Sequence, residues 1–138
     1  MSTWTPPSLI QRVALLLLCA AYLQGGIDKA WDFSGAVAET MHFGLPLPTL
    51  VTALTIVIEV GASVLIVAGF YRWLGAVVLA VFTLAATFLA NRFWELPLAQ
   101  RFPVENAFFE HLGLVGGFLL VAWHDLRGRR FKGPFAPS

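Results

Sequence analysis

The sequence predicts an all-α fold: a polytopic membrane four-helix bundle with both termini cytoplasmic and a short interfacial helix between its first and second spans. Three observations predict it. The 138 residues are 58% hydrophobic and only 12% charged, with a mean hydropathy of +0.76, which leaves too little polar surface to face water all round. Four stretches approach the roughly 20 apolar residues that cross a hydrocarbon core, and with their connections they use up the chain as one membrane domain over 1–138. Lysine and arginine are also unevenly shared between the two ends of those stretches.

Span one covers about 9–27, LIQRVALLLLCAAYLQGGI. A cleaved leader competes for this segment, because Arg12 precedes a leucine run. The site before Cys19 holds Leu18, where cleavage needs a small residue, so the sequence predicts a span. The segment from Asp28 to Pro48 is too polar to cross. Its apolar residues Trp31, Phe33, Val37, Met41 and Phe43 recur among Asp32, Glu39 and His42 in a helical rhythm, which predicts a helix lying on the membrane surface. Gly44, Pro46 and Pro48 then break the chain before span two at about 49–70.

Only Tyr71 and Arg72 separate spans two and three, so these form a tight antiparallel hairpin with Gly69 as the helix stop. Span three covers about 73–90. Pro97 and Pro103 are expected to interrupt any helix from Asn91 to Asn106, and Phe93, Trp94 and Phe102 suit the interface. Span four covers about 107–123, followed by a basic tail expected to fray. Arg12, Arg72, Arg127, Arg129, Arg130 and Lys132 fall on one side against Lys29, Arg92 and Arg101 on the other. Six against three predicts an inner (plasma) membrane protein with both ends inside.

Glu59 is the most informative residue. It sits near the middle of span two, where an acidic side chain costs roughly 2.5–3.5 kcal/mol to insert. Thr52, Thr55, Glu59 and Ser63 follow the three-and-four spacing of one helix face, so the carboxyl group points along a polar stripe into the bundle. The bland alternative is a carboxyl that only hydrogen-bonds neighbouring helices. Span one carries a second stripe, Tyr22, Gly25, Gly26 and Lys29, whose glycines admit a close helix or ligand. Lys29 either snorkels to the interface or pairs with Glu59, and pairing requires the stripes to face each other.

Thr83, Thr87 and Asn91 share a phase on span three, and His111 lies about one turn into span four. Counting ~1.5 Å per residue puts Glu59 about 12–15 Å below the outer boundary. One outward-facing pocket floored by Glu59 is therefore geometrically available to Lys29, Asn91 and His111. Packing alone is the competing explanation for the histidine.

Other constellations fail. Cys19 is the single cysteine, which excludes an intrachain disulfide and a Cys-x-x-Cys pair. His111 and His124 lie on one helix about 20 Å apart, too far for a bis-histidine haem, and no metal site is expected. Four helices pack around side chains rather than a water-filled lumen. Gly113 and Gly117 fit a close-packing motif compatible with a homo-oligomer. The basic tail reads as a topology signal, not a nucleic-acid site.

The chain resembles the DoxX family of small four-helix membrane proteins. The resemblance rests on Gly26-Ile27-Asp28-Lys29, Phe43-Gly44-Leu45-Pro46-Leu47-Pro48, Ile58-Glu59-Val60-Gly61, Gly69-Phe70-Tyr71-Arg72, Phe93-Trp94 and the run from Phe109 to Gly117. It covers about 11–123. The resemblance implies association with quinol oxidase or thiosulfate–quinone oxidoreductase assemblies, or with membrane complexes that handle oxidative or thiol stress. It places Lys29, Glu59, Phe93, Trp94 and His111 at family motif positions.

Two classes of function follow. In the first, the chain is a quinone-binding subunit beside a redox partner protein. A quinone needs donors to its carbonyls, a proton partner and an apolar wall. Lys29, Asn91 or His111 would donate, Glu59 would exchange the proton, Tyr22 would contact the ligand, and Trp94 with Phe93 would cover the ring. In the second, it is a non-enzymatic module that binds or transports a lipophilic solute, or a scaffold that holds a soluble partner through its basic tail. Membrane lipids are partners in both.

Overall fold

The computed structural model describes residues 9–132, and every regular element within them is helical. In chain order these are α1 (Leu9–Trp31), α2 (Phe33–His42), α3 (Pro48–Ala68), α4 (Arg72–Ala90), a 3-10 turn at Phe93–Glu95, and α5 (Leu98–Lys132). Among the described residues, α1, α3, α4 and α5 are long and apolar enough to cross a membrane. Leu17, Val57, Val81 and Leu120 stand on their outer faces, each more than 60% exposed. Such apolar surface around a whole bundle suits lipid, not water.

The short helix expected between the first two spans is α2. Asp32 starts it, its carboxylate accepting the Gly35 N–H at 3.2 Å, as a helix N-cap does. Gly44 and Leu47 then take left-handed conformations and turn the chain into α3. Pro48 opens α3 at a position where a missing N–H costs nothing.

The α3–α4 hairpin is as tight as the two-residue spacer predicts. Gly69 stands at φ 81°, a left-handed conformation that glycine enters without strain. Its N–H and that of Phe70 both reach the Leu65 carbonyl, at 3.0 and 3.1 Å. The Arg72 Nε–H donates to the Ile66 carbonyl at 2.8 Å, and Asp125 of α5 accepts the Trp73 N–H at 3.0 Å. An anionic side chain thus caps the positive end of α4 and ties the hairpin to the last helix.

The segment before the last span departs from expectation. Pro97 does stop the chain, and Leu96 before it is extended at φ −100°, ψ 151°. Pro103 interrupts nothing: α5 starts at Leu98 and runs through it. The first four N–H groups of a helix have no internal partner, so a proline at the sixth position removes a single bond. The helix also continues through the basic segment expected to fray, as far as Lys132. The rest of that tail lies outside the described residues.

α1 packs on α3, α3 on α4 and α4 on α5, while α2 lies across α1 and α3. Side chains bridge α1 to α5, where the Tyr22 and Phe118 rings meet edge to face at 5.3 Å. The core fills the hairpin half of the bundle with Ala62 and Ile66 of α3, Ala76, Leu79 and Ala80 of α4, and Phe118 of α5. Small residues close this half: a Cβ at Gly75 would lie 2.6 Å from the Ala62 carbonyl oxygen. In the other half α4 carries Ala85, Ala86 and Ala90, and the space they leave is not filled by the protein.

Candidate functional site

Glu59 lies on the buried face of α3 with Thr52 and Ser63. The two hydroxyls donate to backbone carbonyls one turn back, Thr52 to Pro48 at 2.7 Å and Ser63 to Glu59 at 2.6 Å. They spend their hydrogens on their own helix. The Glu59 carboxylate instead takes Lys29 of α1, whose Nζ donates to Oε1 at 2.7 Å. The Glu59 side chain is 6% exposed and that of Lys29 31%.

The polar stripes of α1 and α3 therefore face each other, and the glycines are what let them approach. A Cβ at Gly25 would sit 2.9 Å from Glu59 Oε2 and 3.4 Å from Lys29 Nζ. A Cβ at Gly26 would press on Val60. The approaches to Glu59 Oε2 and to Val60 are below normal contact, so the carboxylate rests against α1 only because those side chains are absent.

The pair borders a cavity of about 590 Å3 in the half of the bundle covered by α2. All five α-helices contribute. Tyr22 and Lys29 come from α1, Glu39 and Thr40 from α2, and Thr55 and Glu59 from α3, with His111 from α5. Phe82, Ala86 and Leu89 of α4, Phe43 and Leu114 supply an apolar wall. Size and lining suit an organic molecule with a polar head, since such sites span about 300–1,000 Å3 and combine apolar walls with a few convergent polar groups.

Lys29, Glu59, His111 and Tyr22 are thus brought to one cavity. Tyr22 and Thr83 share a hydroxyl–hydroxyl hydrogen bond at its edge. The His111 ring is tied back to its own helix, with Nδ1 bonded to the Ala107 carbonyl oxygen.

Three predicted residues lie elsewhere. Asn91 caps the end of α4, with its amide donating to Thr87 Oγ1 at 3.1 Å, and does not line the cavity. Phe93 and Trp94 do not cover it either. Their rings lie 5.2 Å apart and pack on Phe108 at 5.5 and 5.6 Å, in an aromatic cluster that joins α4 to α5. The 3-10 turn carries both aromatics toward α5, so the rings on the cavity are Phe43 and Phe82 instead.

Glu39, Thr40, Phe43 and Phe82 had no distinguishing signal. Glu39 and Phe43 are one helical turn apart and so share a face, but the sequence does not say whether that face meets protein or headgroups. Phe82, Ala86 and Leu89 read as any apolar stripe. Among the described residues no three His, Cys, Asp or Glu side chains group as metal ligands.

Residues 9–92 match the family model described as DoxX. The chain is 31% identical over 114 residues to an inner membrane protein, YphA, of Escherichia coli strain K12, a match covering 83% of this chain and 79% of that one. No solved structure matches the chain. The matched family segment contains Lys29 and Glu59, while His111 lies beyond it but within the bundle.

Proposed function

The chain belongs to the DoxX family and is a multi-pass inner-membrane protein, and on that premise we propose that it binds a quinone or a similar lipophilic molecule in the cavity between its helices. The observation that carries this is a single one: a partly buried ion pair, Lys29–Glu59, opens onto an apolar space of about 590 Å3. A paired charge with its second carboxylate oxygen unengaged can orient a polar head. The alanines, Phe82, Phe43 and Leu89 hold an apolar ring or tail.

With both ends cytoplasmic, the α2 side faces outward and the cavity lies in the outer leaflet half. Lys29 and Glu59 would hold the head, His111 would bond it from α5, and Tyr22 would support the near wall. In this role the chain is the quinone-binding subunit of an oxidoreductase assembly, and electrons pass through a partner protein.

The test is mass spectrometry of small molecules carried by the purified protein, followed by titration of an alkyl quinone into wild type and into Lys29→Met, Glu59→Gln and His111→Phe. A co-purified quinone, with affinity lost in at least two folded variants, is the expected result. Equal affinity in all three would end the proposal. A tightly held phospholipid in its place would point to lipid binding or transport without redox coupling.

A further inference from the structure

The hydrogen-bond valences around the cavity are lopsided. A carbonyl oxygen only accepts, so the bond to Ala107 uses a hydrogen on His111 Nδ1, and in that neutral tautomer Nε2 is a lone pair. Thr55 donates its only hydroxyl hydrogen to the Val51 carbonyl at 2.8 Å, and its oxygen is left to accept. Thr40 and Thr52 have two hydrogens between them for three internal contacts, to the Ala36 and Pro48 carbonyls and to each other, so neither has one to spare for the cavity.

Glu59 commits Oε1 to Lys29. Its Oε2 has no hydrogen-bond partner among the described residues and is not sealed off, although the side chain is more than nine-tenths buried. Glu39 also lines the cavity, at its exposed rim. Against these acceptors stand the remaining N–H groups of Lys29 and the one hydroxyl hydrogen that the Tyr22–Thr83 pair leaves over.

We infer that the cavity takes its ligand as a hydrogen-bond donor: a hydroxyl or ammonium head on an apolar body, in preference to the same body bearing only carbonyl oxygens. This rests on the proposal that the cavity holds a lipophilic molecule, and it names the chemistry of the head. A hydroxyl head donates its one hydrogen to one of His111 Nε2, Thr55 Oγ1 and Glu59 Oε2, and an ammonium head has three hydrogens to share among them. A carbonyl head can take the remaining Lys29 or Tyr22–Thr83 hydrogens, but it leaves those acceptors desolvated without a partner, which is how sites built for a hydroxyl reject analogues that lack one. His111 accordingly serves as an acceptor, the reverse of the donor role expected of it for a quinone carbonyl.

The experiment is calorimetric titration of the full chain in lipid nanodiscs, under anaerobic conditions, with four probes of matched chain length. These are an alkylhydroquinone, its dimethyl ether, the corresponding benzoquinone and an alkylamine. The hydroquinone should bind about tenfold or more tightly than its ether and than the benzoquinone, the ratio expected of one or two satisfied hydrogen bonds. His111→Phe should narrow that gap. Thr55→Val, which keeps the shape of the side chain, should narrow it too if the histidine variant fails to fold.

The alkylamine distinguishes the two donor chemistries: binding tighter than the hydroquinone assigns an ammonium head, and weaker binding a hydroxyl head. If the benzoquinone or the ether binds as well as both the hydroquinone and the alkylamine, the inference falls while the lipophile site stands. If no probe binds, both fall.

Discussion

Replacing Lys29 by Met isolates the energetics of the site. The change keeps a long apolar stem and deletes the ammonium group, leaving a Glu59 carboxylate that is 6% exposed with no counter-charge. At the observed 2.7 Å the Coulomb attraction is about 6 kcal/mol with an effective dielectric constant near 20. Desolvation of the two groups offsets much of that, yet removing one partner of a buried pair still costs about 3–5 kcal/mol, because the other is stranded. Lys29 keeps 31% of its side-chain exposure, so the lower end, about 3 kcal/mol, is expected. The assay is equilibrium unfolding in mixed micelles of rising SDS fraction, run as a double-mutant cycle with Glu59→Gln. Glu59→Gln alone should be mild, since the amide keeps a hydrogen bond without the charge. The double variant should recover most of what Lys29→Met lost. A coupling below about 0.5 kcal/mol would show that the pair is solvated and would refute the argument.

Gly26→Ala should destabilise by about 1–3 kcal/mol, because the new methyl meets the stiff Val60 side chain. Gly113→Ala and Gly116→Ala meet nothing within 4 Å and should stay within about 0.5 kcal/mol in the same unfolding assay. Reporter fusions after Tyr71 and at Ser138 should both read cytoplasmic. Opposite readings would break the four-span topology that the charge asymmetry implies.

Elements and their order are written locally, which is why α2, the hairpin and the four long helices could be read before any contact was known. A run of apolar residues, Gly69 at a turn or Pro48 at a helix start acts through its own backbone and its transfer to lipid. The polar stripes on α1 and α3 were readable for the same reason, since helical phase alone brings Thr52, Glu59 and Ser63 to one face. Pro103 misled because the consequence of a proline depends on its distance from the helix start, and the sequence does not mark where α5 begins.

The cavity is another matter. Asn91, Phe93 and Trp94 fall at the right depth for the site, yet the 3-10 turn at Phe93–Glu95 rotates the aromatics onto Phe108 and α5. Glu39 and Phe43 enter the site because α2 folds back over α1 and α3. Depth follows from counting residues, whereas azimuth follows from how the helices close on one another.

From the sequence alone come membrane insertion, four helices and a costly carboxylate that had to face the interior, because each is a transfer free energy paid by a local segment. Only the tertiary structure decided that Lys29 is the partner of Glu59, with their atoms 2.7 Å apart across two glycines, and that His111 lines the same cavity with Nδ1 bonded to the Ala107 carbonyl oxygen. Pairing and hydrogen-bond direction depend on distances of a few tenths of an ångström between helices, and no spacing along one chain encodes those.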